Sequence, residues 1–442
     1  MSDFSPTQDD LVAYLRGQLS AAEAAAIDAR LARDDRLRDL LERTREVLRI
    51  VDESGEESTI RRVNDALQRG IHSGAADVHL DLERDAVVLR LRVDGTLQEV
   101  ERLPLTAARA VAARLKTMFA MPPENLDLPA DGRAAMTVGE RRYDLRGSFL
   151  PGIHGGRLCV RILDPAAVLP PWDRLGLFAE EDAAVRRLMR LSHGLVAVTG
   201  PTGSGKTTLL YSLLNLIAGE RINCVSVEDP VEYDLPWVAQ SAVNPAKGAT
   251  FAYLLRAVLR QDPDVVMVGE IRDLDSLRMS VQCAITGHLV LTTLHTYSAV
   301  STLGRLSDLG LEPFLISSSL RGIISMRLVR RICPECAETV DEPMPRAAAI
   351  ALGIDGEGRG WRRGKGCPAC QQNGYRGRTG VYEVVEVQRA LADAIAARAS
   401  EAELQAAAFA DGALTMQAHA ARLVTDGVTT PEEAARVLGI TW

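Results

Sequence analysis

Gly194-Leu-Val-Ala-Val-Thr199, running straight into Gly200-Pro-Thr-Gly-Ser-Gly-Lys-Thr207, is the stretch on which the fold turns. The first six residues are a short apolar run of the kind found in a strand buried on both faces. The next eight satisfy G-x-x-x-x-G-K-[ST], and Thr207 to Ala218 continues as a helix. Strand, glycine loop and helix together curl backbone N–H groups around phosphates and add the dipole of a helix N-terminus. In such a loop Lys206 reaches the β- and γ-phosphates of ATP and the Thr207 hydroxyl binds magnesium. Gly200, Thr202, Gly203, Ser204, Gly205 and Thr208 complete the cradle. The lysine is informative in itself. Of 51 Lys and Arg residues only four are Lys, namely Lys116, Lys206, Lys247 and Lys365. The chain uses Arg almost wherever a positive charge suffices, and keeps a compact ammonium where a planar guanidinium does not fit.

Downstream, Cys224–Val227, Val265–Val268 and Leu289–Leu294 are further strand candidates separated by helical stretches, which predicts a parallel sheet with helices on both faces. Three groups of polar residues sit at the ends of these strands. Val227-Glu228-Asp-Pro-Val-Glu232 offers carboxylates to orient water or hold the magnesium shell. Asp262-Pro-Asp-Val-Val-Met-Val-Gly-Glu270-Ile-Arg-Asp273 reads as a Walker B variant, with Glu270 at the strand edge where nucleotides sit in open α/β sheets. Gly287-His-Leu-Val-Leu-Thr-Thr-Leu-His295 puts a histidine at each end of a buried strand, and His295, at the C-terminal end, is placed to sense a γ-phosphate.

Upstream, residues 8–50 read as helices: Leu11, Leu15 and Leu19 recur at helical spacing, and Ser20-Ala-Ala-Glu23 is a capping box. Glu53 to Ser58 reads as a linker. Residues 58–165 read as an α+β unit, with Val87–Val93 alternating as a half-exposed strand, Asp94-Gly95 as its turn, a helix over Thr106–Met121, and strands near Arg141–Arg146 and Leu158–Leu163. A Pro-rich hinge from Asp164 to Pro171 leads toward the next domain, with a linker at 166–182. The ATP-binding domain follows at 183–331, a four-cysteine element at 332–380 and a helical region at 381–442. Cys333-Pro-Glu-Cys336 and Cys367-Pro-Ala-Cys370 are two C-x-x-C knuckles with 30 residues between them, suited to tetrahedral zinc, and the segment including Gly353–Gly366 must loop out. Cys159, Cys224 and Cys283 sit in apolar contexts and read as core.

A chain of 442 residues exceeds a single core and predicts two to four domains. Residues 1–57 hold 14 acidic and 8 basic side chains, a net −6 of the total −8, so the remainder is close to neutral and direct nucleic-acid binding is not expected. The absence of any apolar run of 18 residues, and of a basic then apolar N-terminus, predicts a cytoplasmic protein whose membrane contact comes through a partner.

Taken in order, the glycine loop, the Glu228–Glu232 box, Gly269-Glu-Ile-Arg-Asp273 and Thr286–His295 resemble the type II secretion and type IV pilus ATPases, hexameric P-loop motors. Asp77-Val-His-Leu80 and Arg90-Leu-Arg-Val-Asp-Gly95 extend the resemblance to roughly residues 60–440. It implies a RecA-like core preceded by a PAS-like α+β domain that supplies arginine fingers, at Arg146 first, then Arg161 and Arg133. It also implies a homo-hexamer working on an inner-membrane platform protein. Assembly and secretion members of the family generally carry the four-cysteine element and dedicated retraction members lack it, which points to assembly. A DNA-uptake or DNA-transfer motor of the same superfamily is the alternative within it. Asp10-Leu-Val-Ala-Tyr-Leu15 resembles the acidic helical start of bacterial anti-sigma factors, without their zinc ligands, and so raises a further alternative, a regulatory nucleotide-binding protein. The family usually begins with a larger partner-docking domain, so the partner of residues 1–57 stays open. Met326 stands where a Gln is usual before Arg327-Leu-Val, and Met121–Leu126 replaces a more charged helix end.

Overall fold

The computed structural model describes residues 8–15, 19–53, 57–105, 108–123, 125–164, 169–354 and 360–440. Much of the expected linker before Ser58, part of the hinge after Asp164 and the centre of the Gly353–Gly366 loop lie outside these. The chain divides into two compact units, residues 1–166 and 167–442.

The first unit opens with helices α1 (Gln8–Leu15), α2 (Ala21–Leu31), α3 (Asp35–Glu53) and α4 (Glu57–His72). The Ser20 side chain and Glu23 cap α2 reciprocally, and Leu11, Ile27, Leu37 and Leu41 close a small core between the first three helices. Next come β1 (Asp77–Leu82), β2 (Ala86–Val93), β3 (Thr96–Pro104), α5 (Ala108–Met118), β4 (Ala130–Val138), β5 (Arg141–Leu150) and β6 (Gly156–Leu163). They form one antiparallel sheet of order β3-β2-β1-β6-β5-β4 with α4 and α5 packed on its apolar face. Lys116 of α5 is fully buried, its ammonium 3.9 Å from the centre of the Phe149 ring and donating to the Asn125 carbonyl. β3 and β4 were not legible as strands: Thr-Leu-Gln-Glu-Val-Glu-Arg-Leu-Pro and Ala-Asp-Gly-Arg-Ala-Ala-Met-Thr-Val carry few β-formers, and it is pairing that holds them.

The second unit contains α6 (Ala179–Leu188), β7 (Gly194–Thr199), α7 (Lys206–Ile217), β8 (Cys224–Glu228), β9 (Val238–Ala242), α8 (Phe251–Val258), β10 (Val265–Val268) and α9 (Leu274–Ile285). It continues through β11 (Leu289–Leu294), α10 (Ala299–Asp308), α11 (Pro313–Ser319) and β12 (Leu320–Ile332). The cysteine element adds β13 (Ala337–Val340), α12 (Arg346–Leu352) and β14 (Trp361–Gly364), after which β15 (Tyr375–Glu386) returns to the main sheet. Helices α13 (Arg389–Ala396), α14 (Glu401–Ala408), α15 (Met416–Thr425) and α16 (Pro431–Leu438) follow. The expectation of helices alone after the cysteines is corrected by β15, which runs on to Glu386.

Sheet order is β15-β12-β7-β11-β10-β8-β9, parallel from β12 to β9 with β15 antiparallel at one edge. Every residue of β7, β10 and β11 is buried, as a sheet covered on both faces requires. Leu195 and Ala197 pack toward α9 and α10, while Val196 and Val198 pack toward α6 and α7. The order matters for chemistry. β11 lies between β7 and β10, so its C-terminal end falls between the glycine loop and Glu270.

Candidate active site

The glycine loop links β7 to α7 and takes backbone angles that few residues allow. Gly203 and Gly205 have φ of 77° and 92°, in the left-handed region. At Gly200 a Cβ would stand 2.4 Å from the Met326 carbonyl oxygen, so β12 sets the loop's outer wall. Met326 is 2% exposed and its methyl lies against Gly205; the expected Gln position is an apolar support of the loop. The first N–H groups of α7 have no partner within the helix, which makes its start a natural anion seat. Ser204 adds a buried hydroxyl with no partner among the described residues, consistent with a polar ligand in the loop.

Lys206 is the first residue of α7 and its ammonium donates to the carbonyls of Gly200 and Pro201 at 2.8 and 2.9 Å. Burial lowers its pKa to about 8, partly countered by the nearby Glu270 carboxylate. His295 Nδ1 lies 3.4 Å from the ammonium, and His295 Nε2 lies 3.7 Å from Glu270 Oε2. Burial first, then the Lys206 charge, pushes the His295 pKa down, which favours the neutral imidazole. Glu270 also pairs with Arg272 Nη2 at 2.5 Å. Lys206, His295, Glu270 and Arg272 thus form one chain of polar contacts along the sheet's C-terminal edge. Arg272 was not singled out from sequence, although it stands two residues past the strand-end glutamate.

Glu228 is placed differently. It is 2% exposed and accepts from the hydroxyls of Tyr211 and Ser226 and from Gln240 Nε2, the last two at 2.5 and 3.0 Å. Its carboxylate therefore fastens β8 to α7 and β9. Glu232 is exposed in the following loop, with its N–H donating to the Tyr211 hydroxyl at 3.2 Å. Of the three donors to Glu228, Ser226 is on the same strand, but Tyr211 and Gln240 come from separate elements that no local pattern announces.

In the first unit Arg133, Arg146 and Arg161 are direct cross-strand neighbours on β4, β5 and β6. With Asp131, Ser148 and Cys159 they line an open pocket of about 520 Å³. Three guanidinium groups side by side repel one another. Asp77 offsets part of this through Arg161, at 2.9 Å. Such a row suits an anion, phosphate above all.

The four cysteine sulfurs lie within 4.8 Å of one another. Cys333–Cys367 and Cys336–Cys370 sulfurs are 3.8 Å apart and Cys367–Cys370 sulfurs 3.7 Å. Ligand sulfurs about 2.3 Å from a tetrahedral zinc stand roughly this far apart. Burial opposes ionisation of Cys370, yet N–H donors from Cys367 and Gly374 bring its pKa down to about 7, which suits a thiolate ligand. The donor set fits zinc.

The family model for Type II/IV secretion system proteins matches residues 52–436. Type II secretion system protein E of Pseudomonas aeruginosa is 41% identical over 391 residues, 88% of this chain and 77% of that protein. Type II secretion system ATPase E of Vibrio cholerae is 40% identical over 378 residues, 86% of this chain and 75% of that one. Among solved structures, the pilus retraction motor PilT with bound ADP aligns with a TM-score of 0.55 at 26% identity, covering 85% of this chain and 96% of PilT. The Legionella pneumophila ATPase DotB shares the fold at a TM-score of 0.60 and 20% identity, covering 85% of this chain and 94% of DotB. The glycine loop, the strand-end glutamate and histidine, and relatives matched over most of their length agree, and the chain belongs to the Type II/IV secretion system proteins as an ATPase of secretion or pilus machinery.

Proposed function

We infer that this ATPase turns hydrolysis at Lys206, Glu270 and His295 into movement of its two units within a six-membered ring of copies. That movement assembles pilin-like subunits through an inner-membrane platform partner, with the ring on the cytoplasmic side. The observation that carries the reading is the contact chain Lys206–His295–Glu270, 3.4 and 3.7 Å long, at the edge where three parallel strands end. Lys206 would exchange the loop carbonyls for phosphate oxygens, and Thr207 would hold magnesium, which when bound neutralises phosphate charge. Glu270 orients the attacking water and accepts its proton, held in place by Arg272. His295, kept neutral, donates one N–H to the γ-phosphate and so reads its presence. The arginine row supports a second role in which Arg146, Arg161 and Arg133 meet developing phosphoryl charge. The four thiols, suited to zinc, support our reading of the chain as the assembly type. Apart from the start of the C-terminal helical region, which β15 moves beyond Glu386, the segment boundaries read from sequence remain our proposed division of labour within the two units.

Replacing Glu270 by Gln should lower kcat about a hundredfold and leave ATP binding within about threefold. Turnover by purified protein, measured beside binding of a fluorescent ATP analogue, checks this. Hydrolysis that survives Glu270→Gln unchanged would remove Glu270 from the chemistry. The ring is checked by sedimentation with a non-hydrolysable analogue, where a species of six copies is expected and a persistent monomer counts against it.

A further inference from the structure

Glu383 on β15 is a buried carboxylate that none of the roles above uses. It is 6% exposed, and its two oxygens accept from two different helices: the Ala299 N–H of α10 at 2.8 Å and the Met416 N–H of α15 at 3.3 Å. Ala299 and Met416 are the first residues of their helices, so one negative charge faces two positive dipole ends. Across the sheet, Glu383 is in register with Ser325 of β12, and Ser325 with Thr199 of β7. The Thr199 and Ser325 hydroxyls are joined at 2.8 Å with both residues fully buried, and Thr199 is the residue before the glycine loop.

Arg327 completes the arrangement from β12. Its guanidinium donates to the Tyr297 carbonyl at 3.2 Å and to Met416 Sδ at 3.2 Å, with the Tyr297 ring 5.5 Å away. Tyr297 stands two residues past His295, and Thr296 is bonded to Thr302 of α10 at 2.7 Å. The segment from His295 into α10 is therefore gripped twice, by Arg327 at Tyr297 and by Glu383 at Ala299. The same two side chains grip the start of α15. Further along α15, His419 pairs with Glu181 of α6 at 2.6 Å, both buried, so a shift of α15 is passed on to α6.

We propose that Glu383, together with Arg327, is a positioning element that ties the His295 segment to α15 and carries the nucleotide state from the sheet edge into the C-terminal helices. The inference rests on His295 sensing the γ-phosphate. A carboxylate shared by two helix starts cannot follow one of them without loosening the other, so the two move together. Glu383→Gln keeps the shape but leaves one carbonyl oxygen, enough for one helix start, and turns an N–H₂ toward the other.

The test uses full-length protein with and without a non-hydrolysable ATP analogue. It follows hydrogen exchange at residues 415–425 beside kcat and KM for ATP. In the parent, the analogue should slow exchange at these amides by about threefold or more. In Glu383→Gln that response should vanish, with kcat down about tenfold, KM within about threefold and the melting temperature close to that of the parent. Arg327→Lys, which keeps charge but cannot reach both partners, should show the same loss. The proposal is overturned if Glu383→Gln keeps the response or keeps kcat. It is equally overturned if melting temperature and ATP binding fall in step with kcat, as loss of a folding support would cause. His295→Ala separates the two readings. If that variant keeps the α15 response while Glu383→Gln loses it, the sensor role of His295 fails and the link stands. If the parent shows no response at 415–425, the link itself fails.

Discussion

Lys206→Arg is expected to lose at least about a thousandfold in ATP turnover although the positive charge is kept. Lys206 is 8% exposed, and its ammonium sits among the carbonyls of Gly200 and Pro201 and the ring of His295, at 2.8, 2.9 and 3.4 Å. A planar guanidinium on a longer stem has no room there. The loop is closed from outside by the Met326 carbonyl and carries glycine where a side chain would collide. The arginine would thus be expelled from the phosphate seat or would spread the loop. Lys206→Ala should lose as much, since it leaves the β- and γ-phosphate charge unmet.

A pH profile gives the same residue a second signature. Burial holds the free protein's Lys206 at about 8, so the ammonium form that greets ATP is depleted as pH rises above that value. kcat/KM, which reports the free enzyme, should fall above about pH 8, while kcat should stay level further into alkali because bound phosphate favours the charged lysine. Steady-state kinetics between pH 7 and 9.5 would show it. Equal turnover by Lys206→Arg, or a flat kcat/KM through this range, would contradict the assignment.

The ATP-binding core was legible because its strands are short apolar runs bounded by Gly, Asp or Pro. β10 and β11 coincide with Val265–Val268 and Leu289–Leu294 as read from sequence. β12 and β15 were missed for a physical reason. β12 pairs with β7 only from Leu320 to Ser325 and beyond that with β15 alone, so its second half carries Arg327, Arg330 and Arg331 and has no buried-strand pattern. Side chains that act through distant partners were also hidden. Glu228 looked like one of a row of exposed acids, and its burial depends on Tyr211 and Gln240 arriving from α7 and β9. Glu383 sits in an ordinary-looking Val-Tyr-Glu-Val, and only the packing of α10 and α15 against β15 gives it two helix starts to cap. Motifs that bind phosphate with local backbone announce themselves; those that couple elements do not.

Metal removal should have its largest effect away from the ATP site. Purified protein is expected to carry one zinc per chain in native mass spectrometry, and Cys370→Ser to carry none. The four sulfurs tie the two ends of this part together, while α12 between them packs against α15 and α16. Cys333, Cys336 and Cys370 form a buried cluster with Cys367 half-buried against it, and the two-stranded sheet of β13 and β14 is too small to be stable by itself. Without the ion, four thiols face one another, and burial holds those of Cys333 and Cys336 above the ordinary range. The apo element then has only sulfur–sulfur contacts, with Cys370 ionising near neutral pH, where thiolate–zinc bonds would stand. Structural zinc contributes so much to small elements that its loss should raise local opening at least about a hundredfold. Limited proteolysis should therefore cut between Cys336 and Cys367 in Cys370→Ser or chelator-treated protein, while the parent resists. ATP binding should be kept, because Lys206 and the glycine loop rest on β7, α7 and Met326, none of which contains a cysteine of the cluster. Metal-free protein whose four cysteines resist alkylation and whose element resists protease would show that the cluster is held by packing alone.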